Sequence, residues 1–553
     1  MRHIGNCGTG TGRPRLARRG KQRIAAVATV AAALAGGSLT SPAPASAGLT
    51  ESVIVTATGL LSPVAAVLRV GGTIVTRFHI IDGTQALIPA VLEPVLAALP
   101  GITVTPDLTV SIGSKTESTG PHTPSDMFRQ QTGATRLATR GDTGRGVTVA
   151  VLDTGIDRLP DFAGRLAGGV DLTGGHSPFH DSYGHGTFVA GLIAGDGASS
   201  GGRYSGEAPG ARLVSVKVAG ASGKTSLGRV ISGLQWAVSN EHRYGIRVLN
   251  ISLGVRPPGS TVSDPLDQAV EAVWNSGIAV VASAGNAGPF NGTILSPGDD
   301  PLVITVGALD DMARQTPGDD EMTDFSSAGP TSPDGWVKPD LVTSGRSVAS
   351  LAAPGSTVYK GYPSARIGRA NFVGSGTSFS AAITSGAAAL VLAAHPGLTP
   401  DQVKARLLGS TRPGPVGNPF ADGHGALNAY AAATAKPMNY RQSAAGLTPA
   451  SAGATVPLSP TTAVDTWNTS LWSGLPWHRS PPDGWLWDGW LWSGEQWNGY
   501  AWLGKAWNGW AWKGASWNGE DWTGRAWNDD AWSGSAWDGS AWNSAAWDSS
   551  AWG

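Results

Sequence analysis

The chain has 553 residues, of which 41% are hydrophobic, and a formal net charge of −1. This length allows several domains with a sizeable core, and the near-neutral charge gives no reason to expect a nucleic-acid partner. The single cysteine, Cys7, excludes an intrachain disulfide and lies before the cleavage site predicted below, so cysteine catalysis is excluded as well.

The first 47 residues are predicted to be an export signal. Basic residues cluster up to Arg23, an apolar run covers residues 24–39, and Ala45-Ser46-Ala47 has the A-x-A form of a cleavage site. The alternative is a membrane anchor, but the run is short and rich in small residues. The pair Arg18-Arg19 leaves twin-arginine export open, although polar residues follow it and Sec export is favoured. We therefore expect a secreted protein.

Residues 48–125 are predicted to form a small separate α+β unit. Alternation of apolar residues predicts strands, and longer apolar stretches predict helices. The expected strands cover 51–57, 73–80 and 102–112, and the expected helices cover 60–68 and 85–99. This order is typical of a split βαβ sheet.

Residues 126–433 alternate short apolar runs with segments long enough for helices. The predicted strands are 147–152, 213–218, 248–252, 278–282 and 302–306, and the predicted helices are 227–240, 264–275 and 378–394. Such alternation predicts an α/β domain with a largely parallel sheet. Active sites of these sheets lie at the carboxyl ends of the strands, and Asp153 directly follows the first strong strand.

Three separated motifs in this domain each hold one reactive residue. They are Asp153-Thr154-Gly155, the stretch HGTFVAG that begins at His185, and GTSFS with Ser378 as its serine. A serine hydroxyl is a poor nucleophile unless an imidazole takes its proton and a carboxylate orients that imidazole. The three residues therefore predict a catalytic triad in the chain order Asp, His, Ser.

The motifs are similar to those of the subtilisin-like serine protease family (subtilase, peptidase S8). The resemblance implies a three-layer α/β fold with a largely parallel central sheet, and a serine endopeptidase that acts on proteins and peptides. Ser378 would attack the scissile carbonyl, His185 would act as general base and acid, and Asp153 would orient His185. A helix starting at Ser378 would place the nucleophile at a positive dipole end.

The resemblance also assigns the surroundings of the triad. Asn286, in the stretch SAGNAG, would be the oxyanion donor, with a plain turn residue as the alternative. Ser252, Leu253 and Gly254 would pair with an extended substrate, and Ala284 and Gly285 would form a wall of the primary specificity pocket. The floor of that pocket is not assigned by the sequence.

The chain departs from the family pattern at several positions. Phe188 replaces the second His of the HGTH motif, and Phe379 replaces the Met after the nucleophile, which is expected to reshape the wall behind Ser378. Ala381-Ala382 stands where a proline is usual. Structural calcium sites vary in this family and no dedicated Asp-rich loop is present, so calcium stays open and no other cofactor or metal is expected.

Three further acids lie near the motifs or imitate one. Asp142 belongs to a second D-T-G, as in aspartic proteases, but two such loops 11 residues apart cannot easily face each other, and a surface turn is predicted. Asp181 would order its loop or a cation, although a solvated loop acid is favoured. Asp157 would help fix the acid loop. The histidines at 176, 180, 395 and 424 match no ligand spacing and are predicted to be structural or exposed.

Since residues 48–125 precede a protease, the resemblance implies an inhibitor-like propeptide that occupies the cleft and is then cut between about Ser111 and Met127. A structural domain that stays attached is the alternative. The propeptide would be an intramolecular inhibitor of the enzyme.

The C-terminal part is a linker, 434–464, followed by a tryptophan array, 465–553. Tryptophan recurs every five residues, and Asn-Gly and Asp-Gly pairs favour a turn in each unit. A five-residue period fits neither a helix nor a continuous strand, so a solenoid or stacked hairpins is predicted.

Other functions remain open for the array. It could make the chain a cell-surface or carbohydrate-binding protein in which the protease is a processing activity, since indole faces stack on sugars. It could also lie at a membrane interface, or be a weakly ordered low-complexity tail. Acyl transfer to an amine is a further alternative to hydrolysis.

Overall fold

The computed structural model describes residues 50–112, 124–175 and 177–434, together with two-residue strands between 491 and 547. The predicted signal, the linker and most of the tail lie outside these residues, as does His176. The strands of residues 50–434 are β1 (Thr50–Ala57), β2 (Thr73–Phe78), β3 (Gly83–Pro89), β4 (Ile102–Pro106), β5 (Thr109–Ser111), β6 (Thr148–Asp153), β7 (Leu166–Asp171), β8 (Arg212–Lys217), β9 (Lys224–Ser226), β10 (Ile246–Ile251), β11 (Ala279–Ser283), β12 (Ile304–Asp310), β13 (Glu321–Met322), β14 (Leu341–Ser344), β15 (Val348–Leu351), β16 (Arg366–Ile367) and β17 (Asn371–Gly374).

Helices of the same residues surround the sheets. They are α1 (Pro63–Arg69), α2 (Glu93–Ala97), α3 (Phe128–Gln131), α4 (Ala134–Ala138), α5 (His185–Ala194), α6 (Leu227–Ser239), α7 (Glu241–Tyr244), α8 (Pro265–Asn275), α9 (Thr357–Gly361), α10 (Thr377–Ala394), α11 (Pro400–Leu408), α12 (Pro419–Asp422) and α13 (Ala429–Thr434).

The N-terminal unit is an antiparallel sheet with strand order β2-β3-β1-β4 and helices α1 and α2. The split βαβ order is therefore present, but the helix predicted over 85–99 is wrong in its first half, which is β3. Ala86 and Ile88 are buried whereas Leu87 between them is exposed, the alternation of a strand. The apolar run in this segment is compatible with either a helix or a strand when the sequence is taken alone. The strand forms because β1 and β2 pair with the two edges of β3.

The main domain is built on a sheet of order β13-β12-β11-β10-β6-β8-β7, with β14 also paired to β12. Its long strands pair in parallel, and β13 alone among the described pairings of this sheet is antiparallel. Strands β6, β10 and β11 are buried along their whole length or nearly so, as the both-sided helix cover of a parallel sheet requires. The predicted α/β class is confirmed.

Helix α10 runs through the core of this domain. Every residue from Thr377 to Leu392 is buried, and it is the one described helix that is long and apolar enough to cross a membrane. Its burial on all sides is that of a central core helix rather than of a membrane span. It begins at Thr377, one residue before the predicted nucleophile.

Two caps set the starts of other helices. The side chain of Asp264 accepts a hydrogen bond from the Leu266 N–H at the start of α8, and Ser226 does the same for Arg229 N–H in α6. The observed bounds of α6, α8 and α10 agree with the predicted helices within two residues.

The tail is described only as short strands. They are β18 (Leu491–Trp492), β19 (Gln496–Trp497), β20 (Ala501–Trp502), β21 (Ala506–Trp507), β22 (Ala511–Trp512), β23 (Ser516–Trp517), β24 (Asp521–Trp522), β25 (Ala526–Trp527), β26 (Ala531–Trp532), β27 (Ala536–Trp537), β28 (Ala541–Trp542) and β29 (Ala546–Trp547). Each pairs in parallel with the fourth strand along, as Leu491 with Ala511. Parallel pairing of this kind is that of a solenoid with four strands in each coil and is incompatible with stacked hairpins, which pair antiparallel.

Candidate active site

Asp153 and His185 are brought together at the carboxyl edge of the parallel sheet. Asp153 ends β6, and His185 is the first residue of α5. His185 Nδ1 lies 2.9 Å from each of the two carboxylate oxygens of Asp153. Both residues are buried, and Asp153 Oδ1 also accepts a 2.8 Å hydrogen bond from the Thr154 N–H. The carboxylate thus fixes the imidazole orientation and holds the proton on Nδ1, which leaves Nε2 for proton transfer.

Burial and charge act on His185 in opposite directions. Burial by itself disfavours the imidazolium, but the charge of Asp153, its hydrogen bond, and the charge of Asp181 outweigh this, so the pKa of His185 is raised above its ordinary value of 6.5. The group is therefore a stronger base than an exposed histidine.

Ser378 is the second residue of α10 and is buried. Its Oγ donates a 3.3 Å hydrogen bond to the Ser252 carbonyl, and among the described residues His185 Nε2 has no hydrogen-bond partner. Catalytic hydrogen bonds are often long or unmade without substrate, so the missing bond to His185 Nε2 is compatible with His185 acting as the base for Ser378. Ser252 Oγ in turn donates to the Ser378 carbonyl at 3.0 Å, which ties the strand edge to the helix start.

Asn286 lies in the loop that follows β11. Its side-chain Oδ1 accepts hydrogen bonds from the Thr377 N–H at 2.9 Å and the Thr377 hydroxyl at 3.0 Å. Because the oxygen end of the amide is held by the residue before Ser378, the amide N–H group is the end that can donate to an oxyanion beside the nucleophile. Thr377 was not identified from the sequence as an orienting residue, although it lies in the GTS motif.

An extended segment of the chain itself lies beside these residues. Strand β5 pairs antiparallel with β9, and Ser111 pairs on its other side with Gly254. Ile112 N–H donates to the Gly223 carbonyl at 2.7 Å. The sequence predicts that residues 252–254 pair with an extended peptide. It does not predict that β9 pairs with the other edge of that peptide. This strand has only three residues, the last of which is the helix cap Ser226, and so short a strand gives no periodic signal in the sequence.

Comparisons with known proteins identify the family of this domain. The family model described as the subtilase family, Peptidase_S8, matches residues 144–429, which is more than half of the chain. The chain belongs to the subtilase family. Residues 144–429 are accordingly the catalytic domain of a serine-type endopeptidase.

Two relatives illustrate the extent of the similarity. Serine protease AprX of Bacillus subtilis (strain 168) is 43% identical over 296 residues, which are 52% of this chain and 66% of AprX. Subtilisin DY of Bacillus licheniformis is 35% identical over 302 residues, which are 54% of this chain and 95% of that protein.

A solved structure shows the same fold. Fervidolysin from Fervidobacterium pennivorans, described as a keratinolytic enzyme related to subtilisin, matches with a TM-score of 0.56 and 22% identity over 72% of this chain and 63% of its own. None of these alignments, each covering about half to three quarters of the chain, assigns the substrates of the whole protein.

The two departures from the subtilase motifs are in contact with each other. The rings of Phe188 and Phe379 have centroids 4.3 Å apart, and the Phe379 ring lies 5.6 Å from the imidazole of His185. Both phenylalanines are buried. Together they form an apolar surface beside the His185 imidazole, so the two departures from the family motifs are one pair of contacting rings rather than two separate substitutions.

Asp181 corrects a prediction, because it is not a solvated loop acid. It is 1% exposed, and its carboxylate accepts hydrogen bonds from the Thr154 hydroxyl at 2.8 Å, the Gly184 N–H at 2.7 Å and the Thr187 N–H at 2.8 Å. It therefore joins the acid loop to the start of the histidine helix. Burial raises its pKa and these hydrogen bonds oppose the shift without cancelling it.

Asp157 has the bracing role expected for it. Its Oδ1 accepts a 2.7 Å hydrogen bond from the Asp181 N–H, and its own N–H donates to the Thr187 hydroxyl at 3.0 Å. Asp142 accepts from the Gly144 N–H at 3.3 Å, as in a turn, and is half-buried. Neither side chain lies among the triad residues.

In the described part of the chain, no group of three or more His, Cys, Asp or Glu side chains is arranged to hold a metal ion. Calcium also accepts backbone carbonyl and Asn or Gln oxygens as ligands, so a structural calcium ion stays a prediction.

Proposed function

We propose that the protein is a secreted serine endopeptidase that is made as a precursor and removes its own prosegment, residues 48–125, after folding. The observation that carries this proposal is strand β5, which lies in the cleft as the central strand between β9 and Gly254. A peptide bound in this way presents its next residues to the nucleophile, since the Ser252 carbonyl is 3.3 Å from Ser378 Oγ.

The proposed reaction uses the three residues in turn. Ser378 Oγ attacks the scissile carbonyl while its proton passes to His185 Nε2. The imidazolium is stabilised by Asp153, and the alkoxide of the tetrahedral intermediate receives hydrogen bonds from the Asn286 amide and the backbone at the start of α10. Collapse expels the amine, which takes the proton from His185. Water then hydrolyses the acyl-enzyme by the same steps in reverse.

The prosegment is held to the catalytic domain by polar as well as apolar contacts. Asp107 accepts a 2.8 Å hydrogen bond from the Gly228 N–H in the first turn of α6, where a carboxylate is favoured by the helix dipole. Val110 and Ile112 are buried in the same apolar cluster as the catalytic domain. A segment docked by a capping carboxylate and two buried side chains would block the cleft until it is cut, which is the behaviour of an inhibitor.

Secretion and processing can be tested together. The wild-type protein and Ser378→Ala are expressed with the full chain, and the culture medium is sampled over time by intact mass with casein hydrolysis measured in parallel. Wild type is expected to lose the signal and the prosegment, with a new N-terminus between 112 and 124, and to hydrolyse casein. Ser378→Ala is expected to lose the signal only and to be inert.

Ser380→Ala is a matched control, because Ser380 is a buried serine of the same helix whose hydroxyl bonds to the Thr343 and Ser344 carbonyls. It is expected to mature. Adding a trace of mature wild type to Ser378→Ala should cut the prosegment, which shows that the variant is folded. Normal maturation of Ser378→Ala on its own, together with wild type that is inert on casein, would contradict the proposal.

A role for the tail in attachment to cell-wall saccharide is a separate proposal. It is supported by the register of the solenoid strands, in which Trp492, Trp512 and Trp532 are paired in one column. The test is sedimentation of the Ser378→Ala chain, with and without residues 465–553, with insoluble cell-wall polysaccharide. Equal sedimentation of the two would refute it.

A further inference from the structure

The two walls of the specificity pocket are joined by a side chain that the sequence did not assign. The first wall is the segment that ends at Gly254, and the second is the segment that ends at Gly285. Leu295 lies between them: a Cβ added to Gly254 would meet the Leu295 Cβ at 2.8 Å, and one added to Gly285 would meet the Leu295 Cγ at 2.9 Å. Its side chain is thus in contact with both glycines at once.

Backbone contacts hold Leu295 in this place. Its N–H donates to the Ala284 carbonyl at 3.0 Å, and the next residue, Ser296, exchanges hydrogen bonds of 3.0 and 2.9 Å with Val255. Leu295 therefore stands between the segment that follows β11 and the segment that follows β10. The backbone at Leu295 cannot move away from the two segments without breaking these hydrogen bonds.

Leu295 also keeps part of its surface accessible. It is half-buried, whereas its neighbours Ile294 and Ser296 are buried. A leucine that contacts both glycines and is still partly exposed is positioned to line a space between the two segments. Its isobutyl group would occupy the depth that a large substrate side chain needs there.

The geometry of the cleft says which substrate residue enters this space. The antiparallel register puts Ser111 opposite Gly254, so that two residues further along a bound strand lie opposite Ser252. Ser252 is the residue whose carbonyl lies 3.3 Å from Ser378 Oγ. A residue at that register would present its carbonyl to Ser378, and its side chain would lie near Gly254 and Gly285, the two glycines that Leu295 contacts.

We propose that Leu295 closes the primary specificity pocket and restricts this protease to cleavage after small residues, glycine and alanine. The inference rests on the proposed peptidase function and adds the substrate class. The sequence gives independent support, since the residue two beyond Ser111 is Gly113. The prosegment would therefore be cut at the Gly113–Ser114 bond, where no side chain has to enter the pocket.

The test uses four peptide p-nitroanilides with the prosegment's own Val-Ser-Ile followed by Gly, Ala, Leu or Phe. Mature wild type is expected to give kcat/KM at least about tenfold higher for Ala than for Phe, the size expected when a pocket lacks room for a few carbon atoms. Leu295→Gly and Leu295→Ala remove most of the side chain. Both are expected to raise kcat/KM for Phe by about tenfold or more and to leave the value for Ala within about threefold.

Leu398→Ala is the matched control. Leu398 is a half-buried leucine on the loop before α11 and its substitution should leave the Ala to Phe ratio unchanged. Activity on the Ala peptide shows in each variant that the enzyme is folded.

The outcomes separate the two proposals. A wild type that favours Phe or Leu, or a ratio that neither Leu295 variant changes, overturns the role of Leu295 while the peptidase function stands. Failure of wild type to cleave casein and all four peptides removes the peptidase function, and the specificity falls with it. The inference is also contradicted if the mature enzyme begins at a residue other than Ser114 and the residue before that new N-terminus is large.

Discussion

Glu207 is the buried acid for which the structure makes the most definite stability prediction. Its side chain is fully buried, and within the described residues neither carboxyl oxygen has a hydrogen-bond partner. It packs against Gly386 of α10, whose added Cβ would lie 2.5 Å from the Glu207 Cβ. Burial raises its pKa from 4.5 to about 8, although the Thr132 side chain and the charge of Arg129 act in the opposite direction. The folded protein therefore keeps a proton that the unfolded chain gives up.

The sign and size of the effect follow from linkage. Between pH 4.5 and about 8 the folded state binds more protons at this site than the unfolded state, so the free energy of unfolding falls as pH rises. Stability is complete below the unfolded pKa, and the loss ends above the folded one. From pH 4.5 to pH 7, at about 1.4 kcal/mol per pH unit, the loss is about 3 kcal/mol.

Glu207→Gln removes the titrating group and nearly preserves its shape. In the Ser378→Ala background, which prevents self-digestion, the free energy of unfolding of the Glu207→Gln variant minus that of its parent should increase by about 3 kcal/mol between pH 4.5 and 7 and become constant above about 8. The assay is urea unfolding followed by circular dichroism. Other titrating groups cancel in the difference, and the amide's own hydrogen bonds contribute only a constant offset.

The exposed Glu321 provides a control for the loss of one negative charge, and Glu321→Gln should change stability by less than about 0.5 kcal/mol. A stability difference between the Glu207→Gln variant and its parent that is the same at pH 4.5 and pH 8 would refute the reasoning. It would mean that Glu207 is ionised in the folded protein and paired with Arg129.

Three further predictions concern the site. Asp153→Asn should lower kcat about 10⁴-fold, the loss found when this carboxylate is replaced in another serine protease triad. It should also move the acid limb of the kcat/KM profile, which in wild type is expected above pH 6.5, to lower pH. An unmoved limb would show that Asp153 does not raise the pKa of His185. Asp181→Ala leaves buried N–H donors unsatisfied and should destabilise the Ser378→Ala protein by at least about 3 kcal/mol in urea, so a loss below about 1 kcal/mol would contradict the bracing role. Phe188→Leu and Phe379→Leu should be non-additive in unfolding free energy by about 0.5–1.5 kcal/mol, and additive losses would show that the two rings do not stabilise each other.

The residues of the candidate site could be recognised in the sequence because the chemistry proposed for them constrains their local sequence. Asp153 must end a strand, His185 and Ser378 must begin helices, and each therefore carries glycine and small residues around it. The large helices were predicted within two residues, since their apolar periodicity is long. Strand β3 was not, because the seven residues Gly83–Pro89 contain an apolar run that a helix tolerates equally well.

Burial was the least predictable property. Asp181 has the sequence context of a polar loop residue, and only the packing of α5 against the acid loop encloses it and supplies its donors. The same holds for Glu207, a charged residue in a Gly- and Ala-rich stretch that α10 covers.

The sequence by itself determined the family, the α/β class and the chain order of Asp153, His185 and Ser378, because these depend on residue type and spacing. Tertiary structure alone decided that Leu295 lies against both Gly254 and Gly285, that Phe188 and Phe379 form one pair, and that β5 lies between β9 and Gly254. The physical reason is that all three depend on contacts between segments distant in the chain. Local propensities and motifs do not predict which side chains of distant segments come within van der Waals distance of each other.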